Sequence, residues 1–196
     1  MHSEIRAALR GCKTVLDVGC GSNSPMRYFT KLHLVGIDGH EPSLAKAREN
    51  GTHDEYLLAN VNELVNTMTT RRFDACVAFD VIEHLNKEDG WKFMEDLERL
   101  VTKRVIISTP NGFLPQRGQN NDLQEHLSGW TASEFRSRGY QVTGLFGWKK
   151  LRGEYHHIKY RPQFFWALVS LFSHFIYTRK HPEASAALFC VKDLTR

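Results

Sequence analysis

Long apolar runs are missing from this chain. No stretch reaches 18 consecutive apolar residues, so no segment reads as a bilayer-spanning helix. Cysteine is scarce and dispersed. Cys12, Cys20, Cys76 and Cys190 form no CxxC pair, so neither a zinc ribbon nor a disulfide framework is indicated. They read as reduced thiols. The opening residues, MHSEIRAALRGC, lack the apolar core of a secretory signal. The expected location is therefore cytoplasmic, with the inner membrane surface left open by a late segment described below. Internal repeats and low-complexity tracts are absent as well.

What is present suits a globular domain. The 196 residues are 41% hydrophobic and 24% charged, enough for one core of good size. The net charge of +4 is unevenly placed. Residues 149–180 carry +6, from seven Lys and Arg against Glu154, and the remainder carries −2.

Apolar strand-like runs alternate with helical ones. KTVLDVG, HLVGIDG, EYLLANV, FDACVAFDVI and RVIISTP read as strands, and YQVTGLFG and AALFCVK as two late ones. MRYFTKL and PSLAKAREN read as helices, the second opened by Pro42 and stopped by Gly51. KEDGWKFMEDLERLV is amphipathic, with Trp91, Met94, Leu97, Leu100 and Val101 on one face. TASEFRSRG carries a capping-box pattern, Thr131 with Glu134 three residues on. This alternation predicts an α/β fold: a Rossmann-like, doubly wound, seven-stranded sheet, mostly parallel with an antiparallel last strand. A single domain over 1–196 is expected, with 147–183 as an insertion or lid between the last two strands.

The first strand runs into VLDVGCGSNSP, an acid followed by Gly19 and Gly21. Glycines let backbone approach a ligand closely. A dinucleotide fingerprint would place a third glycine where Ser24 stands. Asp17 ahead of the glycines would repel a pyrophosphate but suits a cationic amine. Asp38 ends the second strand, where a carboxylate can take both ribose hydroxyls. Asn60 can accept from an adenine amino group, and the Val61 amide can donate to the ring. A ribose, an adenine and an amino-acid cation together describe S-adenosylmethionine better than NAD.

VLDVGCGSNS, VGIDGHEPSLAKARE, FDACVAFDVIEHL and RVIISTPNGF resemble, in order and spacing, the motifs of class I S-adenosylmethionine-dependent methyltransferases. The resemblance covers roughly residues 13–145 and is closest to the branch with the ubiquinone-pathway O-methyltransferases. It implies that Asp17, Gly19 and Gly21 hold the methionine part, Asp38 the ribose, and Asn60 and Val61 the adenine. Asp80, at the end of the fourth strand, joins this cofactor-binding set. Asn23 and Asn60 stand where the family often has glycine and aspartate. The Asp/Asn-Pro-Pro-aromatic run of base-amine methyltransferases is absent, which argues against DNA adenine or cytosine N4 methylation.

Methyl transfer from a sulfonium needs orientation, and a base where the nucleophile carries a proton. Two histidines are candidates. His126 lies in a polar loop, 111–129, over the expected acceptor site. His84, in the EHL turn, reads as a base or as a structural histidine. A competing reading needs a metal. Asp80, Glu83 and His84 fall at i, i+3, i+4, and His126 can complete an oxygen–nitrogen set. With STPNG and HLSGWTASEF, this resembles the metal-assisted small-RNA 2′-O-methyltransferases. His156 and His157 form no recognisable ligand set. The leading expectation takes no metal, a small-molecule or lipid-linked acceptor, and no nucleic acid. A non-catalytic S-adenosylmethionine-binding module is the other alternative.

RPQFFWALVSLFSHFIYTRK is the remaining oddity. Ser170, Ser173, His174 and Tyr177 form a narrow polar stripe, and apolar residues cover the rest. One reading buries this helix against the sheet or in a homodimer interface. The other makes it a lid or interfacial helix. In that case Lys and Arg of 149–180 meet anionic headgroups, as peripheral membrane contact, or a phosphorylated acceptor.

Overall fold

In the computed structural model, which describes residues 1–68, 70–115, 125–153 and 157–195, seven strands form one sheet. They are β1 (Thr14–Val18), β2 (His33–Asp38), β3 (Glu55–Leu58), β4 (Phe73–Phe79), β5 (Val101–Pro110), β6 (Gln141–Trp148) and β7 (Ser185–Asp193). Their order is β3-β2-β1-β4-β5-β7-β6. The first five strands pair in parallel, and β7 lies antiparallel between β5 and β6. The helices are α1 (His2–Ala8), α2 (Glu41–Glu49), α3 (Leu64–Thr67), α4 (Lys87–Leu100), α5 (Ala132–Ser137) and α6 (Gln163–Ser173).

Strand residues alternate between two cores, as a period of two requires. Leu16, Val18, Cys76, Ala78, Val105 and Ile107 meet Phe93, Met94, Leu97 and Leu100 of α4 on one face. Val15, Ala75, Val77 and Ile106 turn to the other face, against Ile5, Leu9 and Met26. All four cysteines are buried and free. The capping box on α5 forms as its sequence requires, with Thr131 and Glu134 exchanging hydrogen bonds.

Some boundaries differ from the sequence pattern. MRYFTKL yields only a short 3₁₀ helix, Pro25–Tyr28: Leu32 N donates back to Phe29 O in a turn, and His33 N donates to Lys13 O, which starts β2 beside β1. EYLLANV contributes four strand residues, and then Asn60 caps a 3₁₀ turn.

The larger difference concerns α6 and the π-helical turn that continues it, His174–Thr178. The sheet-buried reading of this segment does not hold. Ser170, Ser173 and Thr178 face the protein and most apolar residues face outward, because these three hydroxyls are spent on backbone groups of β6 and of the helix itself, while Tyr177 of the stripe stays exposed.

Candidate cofactor and cation site

Parallel strands carry their carboxyl ends to one edge, and the order reverses between β1 and β4. Val18 pairs with Ile37 on one side and Ala78 on the other. The residues that follow these three strands are therefore neighbours. Gly19, Gly21, Asp38, Asn60, Val61, Asp80 and His84 line one cavity of about 380 Å³. A second cavity of about 220 Å³ is lined by Asp17, Gly19, Gly21, Ser24 and Asp80. Gly19, Gly21 and Asp80 border both.

The loop after β1 needs its glycines. Gly19 has φ +70°, and a Cβ there would lie 2.5 Å from Val81 Cγ2. Gly21 has φ +56°, and nothing stands within 4 Å of the position a Cβ would take. A ligand can therefore approach the backbone at Gly21. Asp38 ties this loop to β2: Gly21 N donates to Oδ2 at 2.8 Å, and His40 N donates to Oδ1 at 2.8 Å. Each oxygen keeps a lone pair for a ligand hydroxyl. Asn60 Oδ1 accepts from Asn62 N at 3.1 Å, which orients its amide at the cavity rim.

Asp17 is 2% exposed and sits in an internal network. Its Oδ2 takes a hydrogen bond from the Ser24 hydroxyl and one from His53 Nε2, the latter at 2.9 Å. Ser24 Oγ also accepts from Met26 N, capping the 3₁₀ helix. The position where a dinucleotide fingerprint has glycine is thus occupied by a side chain that holds the loop acid. Sequence reasoning missed His53, which only the pairing of β2 with β3 brings beneath β1.

The turn after β4 carries the other groups. Asp80 has φ +55°, unusual for a residue with a side chain. Its backbone amide donates to Ser108 O at 3.0 Å. Its side chain reaches open solvent on the cavity side, yet the surrounding walls strip enough water to push its carboxyl up to about 6. Glu83 is buried. Its Oε2 accepts from Thr109 Oγ1 at 2.9 Å, and its Oε1 has no hydrogen-bond partner among the described residues. Burial, followed by the charge of Asp80, raises the Glu83 carboxyl well above the usual range.

His84 and His126 stand against this carboxyl, with ring centroids 4.9 Å apart. His84 Nδ1 lies 2.9 Å from Glu125 O, and His126 Nδ1 lies 2.7 Å from Leu114 O. A carbonyl only accepts, so each Nδ1 carries a proton, and Nε2 is the ring atom left to face a ligand. Burial, with lesser help from His126, lowers the His84 pKa and favours its neutral ring. Ligand atoms of Glu83, His84 and His126 all lie within 4.8 Å of one another. Two imidazoles oriented through Nδ1, beside the buried Glu83 carboxyl, suit a divalent cation, whose charge would favour the ionised carboxylate. Trp130 supports this corner. It is fully buried, and its Nε1 donates to Ser128 Oγ at 2.9 Å and to Ile82 O at 3.3 Å. Of the candidate histidines, His156 lies outside the described residues, as does 116–124 of the polar loop.

The family described as a methyltransferase domain matches residues 16–108, the span from β1 through β5 that supplies nearly all the lining of both cavities. The chain carries a class I S-adenosylmethionine-dependent methyltransferase domain. Its cofactor is S-adenosylmethionine, which the open backbone at Gly21 and the carboxylate of Asp38 fit. The methyltransferase is 22% identical over 166 residues to a small RNA 2′-O-methyltransferase of Tetrahymena thermophila, covering 70% of this chain and 39% of that one. It is 26% identical over 175 residues to a mitochondrial ubiquinone biosynthesis O-methyltransferase of Candida albicans, covering 69% and 53%. The chain thus spans 39% and 53% of the lengths of these relatives. A solved structure of an S-adenosylmethionine-dependent methyltransferase from Archaeoglobus fulgidus superposes with a TM-score of 0.60 at 13% identity, covering 98% of this chain and 94% of that one. That likeness is one of fold.

Proposed function

We propose that the protein O-methylates a small or lipid-linked hydroxylated acceptor, with a divalent cation held by Glu83, His84 and His126. The observation that carries this reading is the unpartnered Oε1 of Glu83 beside two Nδ1-anchored imidazoles. Leaving such an oxygen buried without a donor is costly, and a cation removes the cost. When bound, S-adenosylmethionine supplies the methyl group on an activated sulfonium, and the cation supplies Lewis-acid activation of the acceptor hydroxyl.

The residues have separate tasks. Asp38 takes the ribose hydroxyls, and Asn60 with the Val61 amide takes the adenine edge. Gly19 and Gly21 let the methionine part lie on the backbone, above Asp17. Asp80 borders both cavities, where its carboxylate would meet the cationic part of the cofactor. Leu127 in the cavity wall presents an apolar surface beside His84, which helps exclude water from the reacting atoms.

Both named relatives are O-methyltransferases, which supports transfer to oxygen. One fact supports a compact acceptor without a phosphate backbone. Among the described residues that line the larger cavity, none is Lys or Arg, and three are Asp38, Asp80 and Asp89. A polyanion would be repelled there. Transfer to a 2′-hydroxyl of RNA is the second reading, favoured by the same cation cluster and by the Tetrahymena relative.

The test is an acceptor screen with labelled S-adenosylmethionine, with and without manganese or magnesium. It should include catechols, sugars, lipid-linked sugars and short RNAs. Label on a small hydroxylated acceptor, dependent on added metal, is the expected result. Metal-dependent label on RNA alone replaces the acceptor reading. Full activity after exhaustive chelation removes the cation and leaves His84 or His126 as a simple base.

A further inference from the structure

The segment formed by α6 and its π-helical turn has its polarity reversed relative to an ordinary surface helix. Phe164 is 77% exposed, Phe172 64%, Phe175 66% and Ile176 76%, while Ser170 and Thr178 are 0% exposed. With Leu168 and Leu171 these apolar residues recur at helical spacing and form one continuous outward face.

The inward polar face is built for its place. Ser170 Oγ donates to Phe146 O at 3.0 Å, and Trp148 N donates to Ser173 Oγ at 3.0 Å. Gly144 N donates to Arg179 O at 3.2 Å. At Gly147, φ +73°, a Cβ would stand 2.1 Å from Ser170 O, so the helix rests directly on the β6 backbone. These bonds fix which face points out. Rotation to bury the phenylalanines would break each of them.

An apolar face of this size on a water-facing surface needs a cover. The surrounding charge identifies it. Lys149 and Lys150 follow directly on Trp148, the residue bonded to Ser173, and both are exposed. Arg161 precedes the helix and Lys180 follows it, both exposed, and Arg179 beside Lys180 is exposed while paired with Glu4 at 3.7 Å. Trp148 and Tyr160, aromatic residues suited to a headgroup layer, are 44% and 48% exposed beside it. Among the described residues, no helix is long and apolar enough to cross a membrane. An apolar stripe rimmed by cations and short of spanning length matches a helix lying in the plane of an anionic lipid surface.

We propose that residues 164–176 seat the enzyme on anionic membranes, with the phenylalanines in the acyl boundary and the flanking Lys and Arg among the headgroups. This holds whichever acceptor is methylated.

The test is co-sedimentation of the full chain with two vesicle sets: phosphatidylcholine alone, and phosphatidylcholine with about one third phosphatidylglycerol. Binding to the mixed vesicles should exceed binding to the neutral ones by about tenfold. The double variant Phe172→Ser/Phe175→Ser should lose about tenfold in vesicle binding and keep its calorimetric affinity for S-adenosylmethionine, which checks the fold. Lys149→Gln/Lys150→Gln should lose the preference for anionic lipid. Wild-type protein that stays in the supernatant with both vesicle sets overturns the proposal. So does undiminished binding by the phenylalanine variant. A dimer in sedimentation velocity that the same variant dissociates, with no vesicle binding, would assign the face to a second copy instead.

Discussion

His84 and His126 face each other at 4.9 Å between ring centroids, although 41 residues separate them in sequence. The contact is made by backbone. Glu83 O accepts from Leu127 N at 2.8 Å and from Ser128 N at 3.0 Å, so the segment after β5 is stitched to the turn after β4. Each imidazole is then oriented by a carbonyl of the same polar segment, Glu125 O and Leu114 O. The arrangement leads to a first prediction. Manganese should raise the melting temperature of the wild-type chain, and His126→Ala should weaken metal affinity by about tenfold to a hundredfold. Calorimetric affinity for S-adenosylmethionine should change little. A metal titration with no heat in the wild type would remove the cation site.

Asp38 makes a loop contact through Gly21 N, and its remaining lone pairs are the ones proposed to take the ribose hydroxyls. Asp38→Ala should lower affinity for S-adenosylmethionine at least about tenfold, or ~1.4 kcal/mol. Asp38→Glu should recover part of the loss. Equal affinity in all three proteins would take Asp38 out of the ribose site.

Gly19 is sterically closed by Val81. Gly19→Ala should cost about 1–3 kcal/mol of stability, from the positive φ and the overlap with Val81 Cγ2. Adding Val81→Ala should return only the overlap part. Denaturant midpoints of the two single variants and the double variant measure this coupling, and strict additivity would contradict the contact.

Ser24→Gly restores the dinucleotide pattern on paper. Because Ser24 hydrogen-bonds Asp17 and caps the following 3₁₀ helix, the substitution should destabilise the fold by about 2 kcal/mol. It should also create no NAD binding. Detectable NADH affinity in the variant would show that the loop is a dinucleotide site after all.

Glu55 supplies a pH-dependent term. Arg71 chelates its carboxylate through two bonds, 2.8 and 3.0 Å, and His33 adds a third contact. Arg71 first, and then His33, hold the Glu55 pKa down to about 2, against 4.5 ordinarily. A lowered folded pKa contributes stability above the unfolded value, and the contribution is lost as pH falls from about 4.5 towards 2. Glu55→Gln should therefore cost at most about 1 kcal/mol at pH 7, since the group is partly exposed, and nothing near pH 2. Thermal melts across that range read the difference.

Much of this molecule is visible in its sequence, and the reason is locality. The loop VLDVGCGSNSP, Asp38, and Asn60 with Val61 each sit at the end of a strand whose apolar run can be read directly. A parallel sheet then brings such ends together. The same holds for the capping box at Thr131 and the periodic face of α4. The link between Asp17 and His53 could not be read, because it depends on the register of three strands. Nor could the orphaned oxygen of Glu83, since burial is a property of the packed chain.

The late helix shows the boundary most clearly. Its composition, ten apolar residues beside a thin polar stripe, was evident from the sequence. Which side faces the protein was not. Apolar periodicity ordinarily predicts an inward apolar face, but here backbone hydrogen bonds to Ser170 and Ser173, at the close approach of Gly147, turn the polar stripe inward. The sequence by itself determined the sheet, the cofactor loop and the methyl donor, because strand periodicity and short motifs act locally. Only the tertiary structure decided the union of Glu83, His84 and His126 and the outward face of α6, because both arise from contacts between segments distant in sequence.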